Sequence, residues 1–503
     1  MRRTVAGILI CLFTAGLFLQ MWSGAATRAS AASDGLGNVR HIYTGLNGSC
    51  PRMDVAPDGT LMLVYNSGRQ LHVVFSTNGG LTWSGHVVAV DYKGTKYSPA
   101  NCAFFVDDET GLVYLCFRAP IENEDGTYTA NINYVTSSDN GRTWSAPINV
   151  ATATVTSNEE GGGMWEPTIY RTDGRIRIYY CSTEVKQGDG QVYVNGGTKF
   201  ERHDDTFPYV ISRSVQNIVM HELDEETGEW SGAVCTQDGY SHIPYEIDEE
   251  KGYHGRDGMQ SIGQLPDGSY VMVVESSKYN LASRYGMTRY PMVVDISFSL
   301  DGEHYSDPRT IVFPRKSPYV CGAPWVAVLP DGRIAVCYQS NNYVSDATKE
   351  KYESNRQVEL IVSKECLSYA DRETISPDDF NRYLPLDRAN NEVTYNHWNG
   401  LYVYGDKLYV LSNHTTNDKN VTPAYGIILS VYNILPIADD EEIPEDTPTE
   451  TDAPPTEDST TDTPSTDNTQ GIRLTTALLI GGGAVVAIVT AAIIMIHRRK
   501  HGA

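Results

Sequence analysis

The segment MDVAPDGTLMLVY, residues 53–65, contains the pattern on which the fold of this chain depends. A short apolar run leads into a tight turn at Pro57-Asp58-Gly59, and a second apolar run follows it. Glycine adopts the positive φ that a tight hairpin turn needs, so the segment predicts two antiparallel strands. The pattern recurs in AFFVDDETGLVYLCF (103–117), TIYRTDGRIRIYY (168–180), IGQLPDGSYVMVV (262–274), VAVLPDGRIAVCY (326–338) and LYVYGDKLYVLS (401–412).

Each hairpin is followed by a further apolar run, which predicts a third strand of the same sheet. These runs are LHVVFS (71–76), ANINYVTSS (130–138), PYVISRS (208–214), MVVDISFS (292–299), QVELIVS (357–363) and YGIILSVY (425–432). Three of them lead into the signature S-x-D-x-G-x-T-W: 137–144 is a full match, 76–83 has Asn for Asp, and 299–302 is degenerate. This Asp-box (BNR) signature predicts a turn capped by Ser and Asp, with its Trp packed between neighbouring sheets.

Six such repeats predict an all-β fold, a six-bladed β-propeller with Asp-box repeats over residues 40–437. The segment is too long for one ordinary core, and no helical periodicity separates the strands. A two-sheet sandwich is the alternative, but a sandwich has no need of six equivalent hairpins.

The N-terminus predicts export. Residues 1–31 resemble a signal peptide, because Arg2 and Arg3 precede an apolar run that ends near Met21 and small residues follow at 29–32. An uncleaved N-terminal anchor is the alternative, and it also places the domain outside the cell.

The C-terminus predicts a membrane anchor. Residues 474–496 form an uncharged stretch of 23 residues, long enough to cross a bilayer as one transmembrane helix. The basic tail at 497–503 is then cytoplasmic by the positive-inside rule. We therefore expect a single-pass type I protein of the cell membrane whose catalytic domain is extracellular.

The segment 438–470 separates the propeller from this helix and is rich in Asp, Glu, Pro and Thr. It contains twelve acidic residues and no basic one, half of the formal net charge of −24. Such a composition predicts a disordered, extended stalk. The acidic balance of the chain argues against a nucleic-acid partner.

Eight cysteines lie between Cys50 and Cys366, without the spacing of a zinc site. Cys102 and Cys116 lie symmetrically about a predicted turn, so a cross-strand disulfide and buried free thiols are both open. The sequence has no dinucleotide fingerprint, P-loop, HExxH or EF-hand motif. We therefore expect no cofactor.

The hairpin geometry predicts where a functional site lies. The start of each first strand and the end of each second strand share one edge of a blade, and these edges surround a central pocket. Glu166 lies at this edge, and Glu275 ends an apolar strand of another blade at the same edge. Two carboxylates at one pocket are what glycoside hydrolysis needs, one as acid and one as nucleophile or base. A structural ion pair with nearby arginines is the alternative for each.

The same edge offers residues for binding a glycan. Indole rings present flat apolar faces to sugar rings, and an arginine would keep one carboxylate ionised. The predicted substrate-binding residues are Arg52, Asn101, Arg118, Trp165, Asp257, Trp325, His397 and Trp398.

A series of short motifs at this edge resembles glycoside hydrolase family 93, over roughly residues 43–435. The resemblance implies a retaining exo-α-1,5-L-arabinanase on a six-bladed propeller of the sialidase-like superfamily. It implies Glu166 as general acid/base, Glu275 as nucleophile, and pocket roles for Arg52, Asn101, Arg118 and Asp257. The motifs are Pro51-Arg52, Trp165-Glu166-Pro167, Arg256-Asp257-Gly258-Met259, Val274-Glu275-Ser276 and Gly322-Ala323-Pro324.

Two insertions, 185–207 and 237–253, depart from what is expected of that family. Both are rich in Gly, Asp and Tyr, and we expect them to form a lid or rim over the pocket. Substrate length and identity are decided at such a rim, so the insertions leave the released sugar open.

Two other functions stay open at the level of sequence. An exo-α-sialidase shares the Asp-box repeats and binds the substrate carboxylate with three arginines, for which Arg52, Arg118, Arg256 and Arg289 are candidates. In sialidases the first of these arginines usually belongs to an F/Y-R-I-P motif, in which the proline follows the arginine, whereas in this chain Pro51 precedes Arg52. A non-catalytic carbohydrate-binding propeller has no need of both Glu166 and Glu275. Under each reading we expect a glycan partner and a monomeric chain.

Overall fold

The computed structural model describes residues 35–125, 128–155, 163–182, 185–186, 192–193, 216–237, 256–277, 292–314, 321–342, 356–386, 393–416, 423 and 425–435. The predicted signal peptide, stalk, membrane helix and tail lie outside these residues, as do nearly all of both insertions. In the part of the chain that is described, no helix is long and apolar enough to span a membrane.

The described residues form six antiparallel blades. Strand β1 is Arg40–Tyr43. Blade 1 consists of β2 (Ser49–Val55), β3 (Leu61–Ser67), β4 (Gln70–Ser76) and β5 (Ser84–Asp91). Blade 2 consists of β6 (Ala100–Val106), β7 (Val113–Arg118), β8 (Ile121–Glu122), β9 (Tyr128–Ser137) and β10 (Ile148–Val155). Blade 3 consists of β11 (Met164–Thr172), β12 (Arg175–Ser182), β15 (Asn217–Glu222) and β16 (Val234–Gln237). Between β12 and β15 the chain forms a separate two-stranded hairpin, β13 (Val185–Lys186) and β14 (Val192–Tyr193).

The remaining blades follow the same order. Blade 4 consists of β17 (Arg256–Gln264), β18 (Tyr270–Ser277), β19 (Met292–Ser299) and β20 (Arg309–Val312). Blade 5 consists of β21 (Cys321–Val328), β22 (Ile334–Ser340), β23 (Gln357–Ser363) and β24 (Phe380–Tyr383), with two 3-10 helices, Tyr369–Glu373 and Pro377–Asp379, before its last strand. Blade 6 consists of β25 (Val393–Tyr404), β26 (Lys407–Thr416), β27 (Tyr425–Asn433) and the N-terminal β1.

The blades form a closed ring. The first strand of each blade contacts the first strands of both neighbours, in the cyclic order β2, β6, β11, β17, β21, β25 and back to β2. Each pair of neighbouring blades encloses its own cluster of buried apolar side chains. Met62 and Phe104 belong to the cluster between blades 1 and 2, for example, and Tyr179 and Met272 to that between blades 3 and 4. The six-bladed propeller is thereby confirmed.

The ring closes by joining the two ends of the domain in blade 6. Strand β1 pairs with β27, and Ile42 lies opposite Leu429. Beyond these strands the Leu435 N–H donates to the Gly35 carbonyl over 2.9 Å, and Arg333 Nη2 of blade 5 donates to the Leu435 carbonyl over 2.8 Å.

All six predicted hairpins are present. In the Pro-Asp-Gly turn of blade 1 the Gly59 N–H donates to the Ala56 carbonyl over 2.8 Å, and Gly59 has φ +82°. Gly268 and Gly332 repeat this turn in blades 4 and 5, with φ +85° and +83°. The third strand of blade 3 differs from the prediction: PYVISRS lies outside the described residues, and the strand is Asn217–Glu222. Both segments are apolar runs of similar length, so periodicity could not choose between them.

The signature at 137–144 forms a turn between β9 and β10. Asp139 accepts hydrogen bonds from Ser137 Oγ (2.8 Å), Thr143 N (2.8 Å) and Thr143 Oγ1 (2.6 Å). The Gly141 N–H donates to Ser137 Oγ over 2.9 Å, and Trp144 stacks on Phe104 at a centroid distance of 6.2 Å. The same bond between serine and glycine occurs from Gly80 to Ser76 and from Gly302 to Ser299.

The eight cysteines of the described residues are free thiols. The geometry of the sheet excludes a disulfide between Cys102 and Cys116. Cys116 lies opposite Ala103, so Cys102 points to the other face of the sheet. Cys102 accordingly packs between blades 1 and 2, and Cys116 between blades 2 and 3.

Candidate active site

A β-bulge interrupts the first strand of every blade at the same register position. In blade 3, Trp165 lies opposite Cys181 and pairing resumes at Thr168 opposite Tyr179, so the first strand has one extra residue. One residue within each bulge has a positive φ, between 46° and 52°. These six bulge residues are Cys50, Asn101, Glu166, Met259, Ala323 and Trp398.

The bulge strains the backbone and redirects one side chain per blade. A positive φ at a non-glycine residue costs about 1–3 kcal/mol, and such residues concentrate at functional sites. Bulges next to active sites redirect a side chain out of the regular alternation of the strand. Glu166 therefore occupies a position that the fold repeats six times and that a regular strand does not offer.

The residue after each bulge residue alternates around the ring. It is a proline in blades 1, 3 and 5 and a hydrogen-bond donor in blades 2, 4 and 6. Each donor reaches the carbonyl of the bulge residue in the preceding blade. The bonds run from Cys102 Sγ to the Cys50 carbonyl (3.8 Å), from Gln260 Nε2 to the Glu166 carbonyl (2.6 Å) and from Asn399 Nδ2 to the Ala323 carbonyl (2.9 Å).

Gln260 thus holds the strained backbone of Glu166. Its Nε2 donates to the Tyr179 carbonyl as well, over 2.9 Å. The Gln260 side chain is 2% exposed, so both bonds lie in a site screened from water. Gln260 is therefore a positioning residue for the candidate catalytic carboxylate.

The bulges surround a central pocket that opens to solvent. Its wall combines one carboxylate, one arginine, two indole rings and four carboxamides. The lining residues are Arg52, Asn101, Cys102, Glu166, Pro167, Met259, Gln260, Ala323, Pro324, Trp325, Gln339, Trp398 and Asn399.

The arginine in this wall is bound by the protein itself. Arg52 Nη1 donates to the carbonyls of Pro51 (2.8 Å) and Asn399 (2.9 Å). Its guanidinium carbon lies 4.2 Å from the centre of the Trp325 ring, a cation–π contact. These contacts join blades 6, 1 and 5 and hold the guanidinium in one place.

Glu166 also affects its neighbour across the ring. Burial raises the pKa of the Cys50 thiol, and the Glu166 carboxylate adds to that rise while Arg52 opposes it. The thiol therefore stays protonated at neutral pH. The charges of Glu166 in blade 3 and Arg52 in blade 1 thus both act on Cys50.

Glu275 lies at the junction of blades 4 and 5 and is 5% exposed. Its Oε2 accepts a hydrogen bond from the Ala323 N–H over 2.9 Å. A Cβ on Gly322 would lie 2.0 Å from the same oxygen, so only glycine leaves room for this carboxylate. Glu275 is thus bonded to a residue of the pocket wall, although it is not itself among the lining residues.

The structure brings part of the predicted set together. Arg52, Asn101, Glu166, Trp325 and Trp398 line the pocket. Among the described residues, the wall of this pocket does not include the other predicted ones, which are Arg118, Trp165, Asp257, Glu275 and His397.

Of those other residues, Arg118 and Trp165 are half-buried, whereas Asp257, Glu275 and His397 are buried. The Arg118 guanidinium carbon lies 5.5 Å from the centre of the Trp165 ring. The His397 ring lies 5.8 Å from that of Trp398, and Asp257 is fully buried. Burial lowers the pKa of His397 to about 3, and the Arg356 charge contributes to that shift.

Sequence reasoning missed the carboxamides Gln260 and Asn399 as site residues. The hairpin pattern does place Gln339 at the pocket edge, as the end of a second strand, but Gln339 is not among the predicted substrate-binding residues. Gln260 lies eight residues before the turn glycine Gly268, as Pro51 and Pro324 lie before Gly59 and Gly332, and this count could have found Gln260. No local signal marks the bulge, because its six residues share neither size nor polarity.

Fold and site together define a six-bladed propeller whose central pocket presents one carboxylate, one arginine and two indole rings. Solved structures similar to this chain include an α-L-arabinanase from Penicillium chrysogenum complexed with arabinobiose, at 16% identity and TM-score 0.52, covering 79% of this chain and 99% of that chain. The family 93 α-L-arabinofuranosidase of Fusarium graminearum with arabinobiose is also similar, at 16% identity and TM-score 0.50, covering 79% and 98%. A protein of unknown function from Dyadobacter fermentans has 12% identity and TM-score 0.52, covering 80% and 99%.

These likenesses confirm, for the fold, the resemblance to glycoside hydrolase family 93 that the sequence motifs indicated. No protein-family model matches the sequence, and no curated protein sequence matches it.

Proposed function

We propose that the protein is a glycoside hydrolase that acts on arabinan-like glycans, exo-acting and with retention of anomeric configuration. The observation that carries this proposal is the presence of two carboxylates at one pocket. Glu166 lies in the strained bulge of the pocket wall, and Glu275 accepts a hydrogen bond from the wall residue Ala323. We further propose that the domain is extracellular and anchored through residues 474–496, on the strength of their hydropathy pattern.

In the proposed reaction, Glu166 donates its proton to the glycosidic oxygen as the bond to the anomeric carbon breaks. Glu275 attacks the anomeric carbon and forms a glycosyl ester. Glu166 then takes a proton from water, which attacks the same carbon and releases the sugar and free Glu275. The Ala323 N–H fixes one oxygen of Glu275, so the carboxylate starts each cycle in one orientation.

The charge of the wall disfavours a sialidase. Binding a substrate carboxylate calls for a cluster of arginines, and Arg52 is the one arginine among the described residues of the wall. Two backbone carbonyls already occupy its Nη1. A neutral sugar suits this wall better, because carboxamides bind hydroxyls without needing a counter-charge.

The test combines substrate choice with substitution of the two carboxylates. We expect the full chain to release arabinose or short arabino-oligosaccharides from debranched arabinan and nothing from sialyl-lactose. Glu166→Gln and Glu275→Gln should each lower turnover by several orders of magnitude, since each removes one chemical step. The control is Glu225→Gln, which removes an exposed partner of Arg171 in blade 3 away from the pocket. Near-normal turnover in either the Glu166→Gln or the Glu275→Gln variant would refute the two-carboxylate mechanism.

A further inference from the structure

Gln339 has an unusual environment for a buried amide. It ends strand β22, lines the pocket and is 3% exposed. Neither its Oε1 nor its Nε2 has a hydrogen-bond partner among the described residues. A buried polar group without a partner costs about 1–3 kcal/mol, so proteins rarely keep one without a use for it.

The register places Gln339 beside Glu275. Gln339 lies directly opposite Gly322, and opposed residues present their Cβ positions on the same face, about 4.5–5.5 Å apart. On that face a Cβ at Gly322 would meet the Glu275 carboxyl group at 2.0 Å. Gln339 therefore lines the pocket on the same face of the blade as the proposed nucleophile and close to it.

Two further amides of the wall present acceptors. Gln260 and Asn399 each use the amide nitrogen to donate to two backbone carbonyls, which determines which way the amide is turned. Their oxygens, Gln260 Oε1 and Asn399 Oδ1, have no hydrogen-bond partner among the described residues. Acceptors of this kind call for a ligand that donates hydrogen bonds and carries no negative charge.

We propose that Gln339 is a specificity-determining residue that binds two adjacent hydroxyls of a neutral sugar next to the reacting carbon. Its Nε2 donates to one hydroxyl and its Oε1 accepts from the other, so the pair satisfies both orphan atoms at once. Such bonds to a hydroxyl beside the anomeric carbon strengthen in the transition state of retaining glycosidases. The inference rests on the proposed hydrolysis and names the chemical class of its substrate.

The experiment separates binding from chemistry. Calorimetric titration of the full chain with the Glu166→Gln substitution, using α-1,5-linked arabinobiose and sialyl-lactose as probes, measures affinity without turnover. Adding Gln339→Leu should weaken arabinobiose binding at least about tenfold, the effect of removing roughly 1.4 kcal/mol. The melting temperature of the free protein should stay level or rise, because leucine removes an unpaired amide without breaking a bond.

The matched control is Gln357→Leu. Gln357 is equally buried at 3% exposed and lies opposite Ser340 in the next strand, but its Nε2 donates to the Leu386 carbonyl over 2.9 Å. This variant should lower the melting temperature and leave arabinobiose affinity unchanged.

The inference is overturned if Gln339→Leu leaves arabinobiose binding unaffected. It is also overturned if that variant lowers the melting temperature as much as the control does. Finally, it is overturned if the protein binds sialyl-lactose in preference to arabinobiose, or binds neither probe. If arabinobiose binds through Gln339 and yet the unsubstituted chain hydrolyses nothing, the proposed hydrolysis fails. The role of Gln339 in binding sugar hydroxyls then stands, and their place next to a reacting carbon does not.

Discussion

At the scale of single residues, the site depends on backbone conformations that the side chains do not favour. Glu166 and the five other bulge residues have positive φ although none is glycine. Gln260 compensates part of that strain by bonding the Glu166 carbonyl. The surrounding structure maintains this strain, and the bulge places the carboxylate at the pocket, whereas a regular strand would direct the side chain away from it.

His397 provides a prediction about acid stability. Its pKa in the folded state is lowered to about 3, first by burial and then by the Arg356 charge, whereas an unfolded histidine titrates near 6.5. Between these values the unfolded state binds the extra proton, so the free energy of unfolding should fall by about 1.4 kcal/mol for each pH unit below 6.5.

Replacing His397 by Asn should remove that component of the acid sensitivity, which denaturant titrations from pH 7 down to pH 4 would measure. The control variant is His304→Asn. The hydrogen bond to Asp301 raises the pKa of His304, so the contribution of His304 to stability has the opposite sign: it is present at low pH and is lost as pH rises. A pH dependence identical in wild type and His397→Asn would contradict the assignment.

At the scale of elements, the blades are held by local turns and by one buried cluster at each interface. The Pro-Asp-Gly hairpins and the turn of Asp139 form from residues close in sequence, which is why their patterns are visible in the chain. The interface clusters join strands of different repeats and depend on the ring as a whole.

The turn at Asp139 should lose less stability when Asp139 is replaced by Asn than when it is replaced by Ala. Asp139→Ala removes the acceptor for Ser137, Arg142 and Thr143 and should cost about 1–3 kcal/mol. Asp139→Asn should cost less, because Asn78 holds the equivalent place in blade 1 and accepts from the Thr82 N–H over 3.0 Å. Urea denaturation of both variants compares them, and equal losses would show that the charge rather than the acceptor stabilises the turn.

The same turn should weaken in acid. Hydrogen bonds, first from the Thr143 hydroxyl, lower the pKa of Asp139 to about 2. The stabilisation is complete above the ordinary carboxyl pKa of 3.8 and is lost as pH falls toward 2.

At the scale of the whole molecule, one short strand closes the ring. β1 comes from the N-terminal end of the domain and covers the outer edge of β27, so both ends of the domain meet in blade 6. The short β1 replaces the longer β27 as the outer edge of blade 6, and the pairing keeps the six first strands around one pocket.

Removing β1 should therefore destabilise the domain as a unit. A chain that begins after Tyr43 loses the pairing with β27 and the contact of Ile42 with the cluster between blades 6 and 1. We expect its melting temperature to fall by several degrees or more, with faster hydrogen exchange in β27. A chain that begins at Gly35 retains β1 and is the control. Equal melting temperatures for the two chains would show that closure contributes little.

The sequence by itself determined the number of blades, the hairpin of each and the edge where Glu166 and Glu275 lie. These features follow from contacts between residues close in the chain, and such contacts leave periodic and turn signals. Tertiary structure alone decided the bulge conformation, the bond from Ala323 to Glu275, the opposite faces of Cys102 and Cys116, and the unpaired amide of Gln339. Each of these depends on one blade meeting another or on a shift of register, and neither leaves a local pattern in the amino-acid order.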